Sequence, residues 1–195
     1  MRIGFDIDDT LTNNEYYAQK FFTDYIKKNR LRFKLINPDT NLLTKMFDWS
    51  KDEFDIIWNK VGYQFLSNVP VVKDAVKTVN LLKAAGHEIY IITQRYSLNP
   101  YEISKKWLED NNISYDVLIV NAKDKINACK DNFIDFYIDD RFSTCDNLNK
   151  NGIKTYAINT YFNGGEFCTS PRVNSLTEYA QIVLGKKNEE NRELG

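Results

Sequence analysis

Within ten residues of its amino terminus the chain passes from an apolar stretch, Ile3-Gly4-Phe5, into Asp6-Ile7-Asp8-Asp9-Thr10. Residues 2–7 read as a short buried strand. Three acids therefore emerge where a strand leaves the core. Carboxylates crowded there repel one another and lose hydration, at a cost on the order of several kcal/mol per ion before compensation. A bound cation or a shared proton is expected to offset it. An open parallel sheet is the architecture that gathers such groups, because its ligands bind beyond the carboxyl ends of the strands.

The rest of the chain fits that architecture. Apolar, strand-length segments recur at residues 88–92, 115–120, 133–138 and 154–158, with helix-length stretches between them. Asn99 before Pro100 is a cap and first-turn pair for a helix through Trp107 and Leu108, and residues 122–131 and 143–150 supply two more. Gly86 ends a helix carrying Val76, Val79 and Leu82, and Gly152 ends another. Alternating strands and helices predict an α/β fold whose parallel sheet is covered by helices on both faces.

Residues 14–69 break the rhythm. They are rich in helix signals and aromatics and hold no convincing buried strand, so they read as an insertion after the first strand. Tyr17, Phe21, Phe22, Tyr25 and Ile26 lie at helical spacing, and Ser50 with Glu53 forms a capping box for a second helix. The predicted division is a core of residues 1–13 and 70–185, a helical insertion of 14–69, and a frayed tail at 186–195. Ser175 and Glu178 open the last helix, which Gly185 closes.

A second acidic pair repeats the strand-end pattern, since Phe136-Tyr137-Ile138 leads into Asp139-Asp140-Arg141. Parallel strands discharge at the same edge and neighbours lie about 4.8 Å apart, so adjacent strand ends can share one ion. With oxygen donors and no histidine or cysteine nearby, that ion is expected to be Mg2+. The alternative, that each aspartate only caps the next helix, explains one cluster better than two in the same context. Thr93, after the 88–92 strand, and Lys125, before the 133–138 strand, are a hydroxyl and an ammonium placed to hold a phosphoryl group. Either can also be read as an ordinary cap or a solvated helix start.

Composition excludes other classes. With 26 basic and 27 acidic residues in 195, and a net charge of -1, there is no general attraction to a nucleic acid polymer or an anionic membrane. No apolar run approaches the roughly 18 residues of a membrane span, and carboxylates at residue 6 come too early for a signal peptide. The expected setting is cytoplasmic. Cys129, Cys145 and Cys168 form no CxxC pair and are expected to be inert thiols. His87, the single histidine, leaves no room for a histidine triad or zinc site.

In order, Asp6-x-Asp8-x-Thr10, Thr93, Lys125 and Asp139-Asp140 resemble the four motifs of the haloacid dehalogenase-like (HAD) superfamily of phosphohydrolases. The resemblance covers residues 1 to about 160. It implies a Rossmann-like sheet with a mobile cap directly after the first motif, the slot filled here by residues 14–69. It further implies that Asp6 is a nucleophile forming an aspartyl-phosphate, with Asp8 as acid and then base. Mg2+ would be held by Asp6, the Asp8 backbone carbonyl and Asp140, with Thr10, Asp139 and Arg141 in support. The acid at position 8 sets the chain apart from dehalogenases. Family members often carry another acid four or five residues after the paired aspartates; here Asp146 follows Asp140 by six and is not assigned to the metal.

The strings Ile91-Ile92-Thr93-Gln94-Arg95, Lys106-Trp107-Leu108, Ile119 to Lys125 and Ile138-Asp139-Asp140-Arg141 are similar to the 5′(3′)-deoxyribonucleotidase branch, which selects Lys125 over Lys123 as the motif lysine. Those enzymes set cap aromatics against the base, and Phe47, Trp49 and Trp58 are the candidates here. Equally, these rings fit a small core of the insertion, since Trp58 shares a helical stripe with Phe54 and Ile57. The implied substrate is a nucleoside monophosphate. A sugar or polyol phosphate, and more remotely a phosphorylatable receiver module, are the alternatives. A homodimer and a monomer are both compatible with the sequence.

Overall fold

The computed structural model describes residues 1–14, 16–95 and 97–185. The expected tail lies outside them. Six strands are found among the described residues: β1 (Arg2–Phe5), β2 (Glu88–Ile92), β3 (Val117–Ile119), β4 (Phe136–Asp139), β5 (Lys154–Ile158) and β6 (Arg172–Val173). They form one sheet in the order β3-β2-β1-β4-β5-β6, with every pairing parallel. β1 is thus flanked by β2 and β4, and the backbone N–H of Asp6 donates to Ile138 at 3.1 Å.

Alternation along the strands buries both faces. Ile89 and Ile91 pack with Ile3, Phe5, Val79 and Leu82 on one side, while Tyr90 and Ile92 pack with Tyr137, Cys129 and Leu148 on the other. The covering helices are α4 (Ala75–Ala84), α5 (Pro100–Asp110), α6 (Lys125–Asp131), α7 (Phe142–Lys150) and α8 (Leu176–Val183). This is the α/β fold that the alternating pattern predicts, in the Rossmann-like form that the resemblance implies.

Between β1 and α4 lie α1 (Tyr17–Lys28), α2 (Leu43–Met46) and α3 (Lys51–Asn68). Ala18, Phe22, Met46, Phe47, Trp49, Phe54, Ile57 and Phe65 form a separate apolar cluster there. Both arms of the Ser50–Glu53 capping box are present. The outgoing and returning chains run side by side: Asn13 N–H donates to the Pro70 carbonyl at 2.7 Å, Val72 N–H donates to that of Leu11 at 2.8 Å, and Thr12 and Val71 form an antiparallel bridge.

Some boundaries differ from expectation. The strand expected from residue 133 starts at Phe136, because Phe133 sits in a turn at φ 53° and is exposed. Residues 122–124 precede α6 instead of belonging to it, since Asp124 caps the helix by accepting from Asn127 N–H at 3.0 Å. Ser175 caps α8, but Glu178 accepts from Asn174 N–H and not from Ser175, so that box is half formed. β6 and α2 have no counterpart in the sequence reading; at two and four residues they are too short to show a period.

Candidate active site

The chain leaves β1 by winding round one carbonyl. The Ile7 oxygen accepts from Thr10, Leu11 and Thr12 at 3.3, 2.8 and 2.9 Å. Asp9 turns this loop at φ 58°, in the left-handed region that aspartate tolerates better than most residues. Its own N–H donates to Thr12 Oγ1 at 2.9 Å. Thr10 is fully buried inside the turn, away from the pocket.

Because β4 is the neighbour of β1, the acids of the two strands meet. Carboxylate oxygens of Asp6, Asp139 and Asp140 lie within 4.8 Å of one another, and all three residues are buried. Lys125, at the first position of α6, inserts its ammonium among them, 2.9 Å from Asp6 Oδ1 and 2.5 Å from Asp139 Oδ2. Asp139 also accepts the Arg141 backbone N–H at 2.9 Å. Asp139 is thereby used up by protein donors, whereas Asp140 lines the open pocket beside Asp6 and Asp8.

The charges are strongly perturbed. Burial raises Asp139, against the pull of Lys125, and it raises Asp140 well above the ordinary carboxylate range, with Asp139 and Asp6 adding to the effect. Burial and then the Asp8 charge push Asp9 up to about 7. Asp8 is raised by burial, opposed mainly by Arg95. Burial works against the Lys125 cation, but Asp6 and Asp139 outweigh it and hold the ammonium above the usual lysine value. An all-oxygen donor set with this excess of buried negative charge fits a hard divalent cation such as Mg2+.

Above the acids lies a pocket of about 630 Å³. Thr93 and Gln94 after β2, Lys123 to Ile126 at the start of α6, and Arg141, Thr144 and Asn147 at α7 form its lower wall. Thr40, Asn41 and Leu42 from the connection before α2, with Leu43 of α2 and Trp58 of α3, also line it. Of the three aromatics expected against substrate, Trp58 is at the pocket. Phe47 and Trp49 are not: they are buried against each other, ring centroids 4.7 Å apart, with Trp49 also packed on Phe22 and Phe54. They are core residues of the insertion, because that cluster needs large rings to fill it.

Asp146, left out of the metal set, faces elsewhere. It accepts from the N–H groups of Thr169 and Ser170 and from the Ser170 hydroxyl, which hold its carboxyl far below the usual range. Two residues to which the sequence assigns no role also shape the site. Buried Asn163 donates to the carbonyls of Asp140 and Ile158, 2.9 Å each, and fixes the loop after β5. Arg95, also buried, binds the Asp8 carboxylate.

No family model matches the chain. A Bacillus cereus protein named "Putative nucleotidase" is 29% identical over 191 residues, spanning 94% of this chain and 98% of its own. A HAD-like hydrolase of Streptococcus pneumoniae superposes with a TM-score of 0.65 at 14% identity, over 93% of this chain and 97% of that one. YfnB of Bacillus subtilis, solved bound to magnesium, gives 0.65 at 14% identity over 94% and 98%. The fold is that of the HAD superfamily hydrolases. In sequence, the likeness is to proteins named "Putative nucleotidase". No helix among the described residues is long and apolar enough to cross a membrane.

Proposed function

We propose that this chain is a metal-dependent phosphomonoester hydrolase that works through an aspartyl-phosphate on Asp6 and acts on nucleoside or deoxynucleoside monophosphates. The observation that carries the reading is the meeting of Asp6, Lys125, Asp139 and Asp140 beneath a pocket that residues of the insertion also line. Asp6, the Asp8 carbonyl and Asp140 would hold Mg2+, whose charge offsets the repulsion between a phosphate dianion and an anionic nucleophile.

The residues divide the work. A carboxylate oxygen of Asp6 attacks phosphorus while the ester P–O bond breaks, and Asp8 gives its proton to the departing oxygen. Water then attacks phosphorus, Asp8 takes the water proton, and the bond to Asp6 breaks to release phosphate. Lys125 keeps Asp6 oriented and partly neutralised, and the Thr93 hydroxyl donates to a phosphoryl oxygen. Residues 14–69 act as the cap, excluding water, with Trp58 offering a flat surface to the base. The pocket is of small-ligand size, in the range of about 300–1,000 Å³, and the nucleotidase name of the Bacillus cereus relative supports the choice of substrate. A cytoplasmic setting suits its three free thiols.

The test is a panel of phosphate esters turned over with Mg2+ and with EDTA. Nucleoside monophosphates are expected to lead, with no turnover in EDTA or in Asp6→Asn. Sugar phosphates turned over equally well would transfer the assignment to a polyol phosphatase, and stoichiometric phosphorylation without turnover would indicate a receiver.

A further inference from the structure

Arg95 is a buried cation that the reading above leaves without a task. Its side chain is fully shielded, whereas that of Asp8 is 33% exposed. Nε lies 3.1 Å from Asp8 Oδ1 and 3.3 Å from Oδ2, and Nη2 stands 3.1 Å from Oδ1. Lys125 is committed to Asp6 and Asp139, so among the described residues Arg95 is the cation ion-paired with Asp8.

Stability does not account for this arrangement. Nη1 has no hydrogen-bond acceptor among the described residues and Nη2 has only its charge contact with Asp8, not a hydrogen bond, and burying a guanidinium so incompletely satisfied is unfavourable. What holds Arg95 in place is Trp107, whose ring centroid lies 5.4 Å from the guanidinium carbon. Trp107 is itself fully buried and pinned, its indole N–H donating to the Val69 carbonyl at 2.8 Å where the chain returns from the inserted helices.

We propose that Arg95 is the positioning residue of the acid/base: braced by Trp107, its planar fork fixes the Asp8 carboxylate so that the exposed edge faces the departing oxygen. The proposal rests on the reading of Asp8 as general acid. A carboxyl whose two oxygens share the Nε–H of a rigid guanidinium, with Nη2 as a charge 3.1 Å from Oδ1, keeps one orientation, where a single flexible donor would leave it free to rotate. Arg95 touches neither substrate nor phosphorus and acts only through Asp8.

Leaving-group dependence tests this. A nucleoside alkoxide is a far more basic leaving group than p-nitrophenolate and needs the proton far more. The quantity to compare is kcat/KM, which reports the steps through departure of the leaving group. In Arg95→Met it should fall about 100-fold for a nucleoside monophosphate and less than about 5-fold for p-nitrophenyl phosphate, the lower end of what general acid catalysis contributes. Asp8→Asn should show the same selectivity, and adding Arg95→Met to it should cost less than about 2-fold more, since both act on one group.

If Asp8→Asn slows both substrates equally, the general-acid reading fails. If Asp8→Asn is selective while Arg95→Met slows both equally, or the two losses multiply, the role given to Arg95 fails. Circular dichroism and a thermal melt establish that each variant is folded. Should Arg95→Met not fold, Arg95→Lys replaces it: the charge stays and the fork is lost, so a selective loss of about 10-fold is expected, and an unselective loss overturns the proposal.

Discussion

The ring of Tyr137 lies so close over Gly4 on the neighbouring strand that a Cβ at position 4 would stand 2.4 Å from Tyr137 Cδ2. The tyrosine cannot readily move. It is fully buried, and its hydroxyl reaches past β1 to donate to the Ile92 carbonyl on β2 at 2.6 Å. One side chain of β4 thus ties together the three strands that bring Asp6, Thr93 and Asp139 to one edge. Gly4→Ala should cost about 1–3 kcal/mol as an overpacked core site, read as a lower denaturant midpoint. Tyr137→Phe, which keeps the ring and leaves the Ile92 carbonyl without this donor, should cost about 1 kcal/mol.

The aromatic rings of the insertion should separate by function. Phe47 sits 3% exposed in the cluster of the inserted helices, and Phe47→Ala should destabilise that cluster by about 3–5 kcal/mol. The thermal melt detects this directly. Trp58 lines the pocket, so Trp58→Leu should raise KM for nucleoside monophosphates several-fold while leaving p-nitrophenyl phosphate nearly unaffected. A variant at Trp58 that instead slows both substrates equally would remove it from substrate contact.

The contrast between those rings marks what sequence can convey here. Acids ending apolar runs are visible because a carboxylate at a strand end is rare and costly. That Asp6 and Asp139-Asp140 meet depends on β1 lying beside β4, and strand order is a property of the whole sheet. Trp49 and Trp58 look alike in composition and spacing, and only packing distinguishes the ring that fills a core from the ring that faces a cavity. Arg95 stands in a recognisable string after β2, but the sequence does not reveal its partner, which is 87 positions away. The main elements were legible from periodicity, since Ile89, Ile91 and Leu82 repeat with their strand and helix, whereas Arg172–Val173 is too short to have a period.

The raised carboxyls make metal binding and stability depend on pH. The folded, metal-free protein holds a proton on Asp9 up to about pH 7, whereas an unfolded chain releases it near pH 4. Between those values the folded state binds more protons, so this group makes stability fall as pH rises. The upward shifts of Asp8, Asp139 and Asp140 act in the same sense. His87, lowered by burial, acts oppositely, with its effect complete above its ordinary value of about 6.5. Without metal the protein should therefore melt lower at pH 8 than at pH 6.5. A divalent ion displaces those protons, so Mg2+ should raise the melting temperature more at pH 8, and calorimetry at pH 6.5 in buffers of different ionisation enthalpy should detect proton release on binding.

The two lysines at the start of α6 offer a sharp comparison, because they are two residues apart and both line the pocket. Lys125 is nearly buried and bridges Asp6 and Asp139, whereas Lys123 is exposed. Lys125→Met removes the ammonium and leaves two buried carboxylates facing each other, so turnover should fall by about 1,000-fold or more, the scale of losing a preorganised charge at the reacting centre. The same change should lower the melting temperature in EDTA, since stripping one partner from a buried charge cluster is strongly destabilising. Mg2+ should restore part of that stability by neutralising Asp6. Lys123→Met should alter the melt little and change kcat by less than about 3-fold, with its effect on kcat/KM fading as salt screens the exposed charge. Equal losses in the two variants would mean that the Lys125 bridge does not set the nucleophile, and the reading of Asp6 would have to be revised with it.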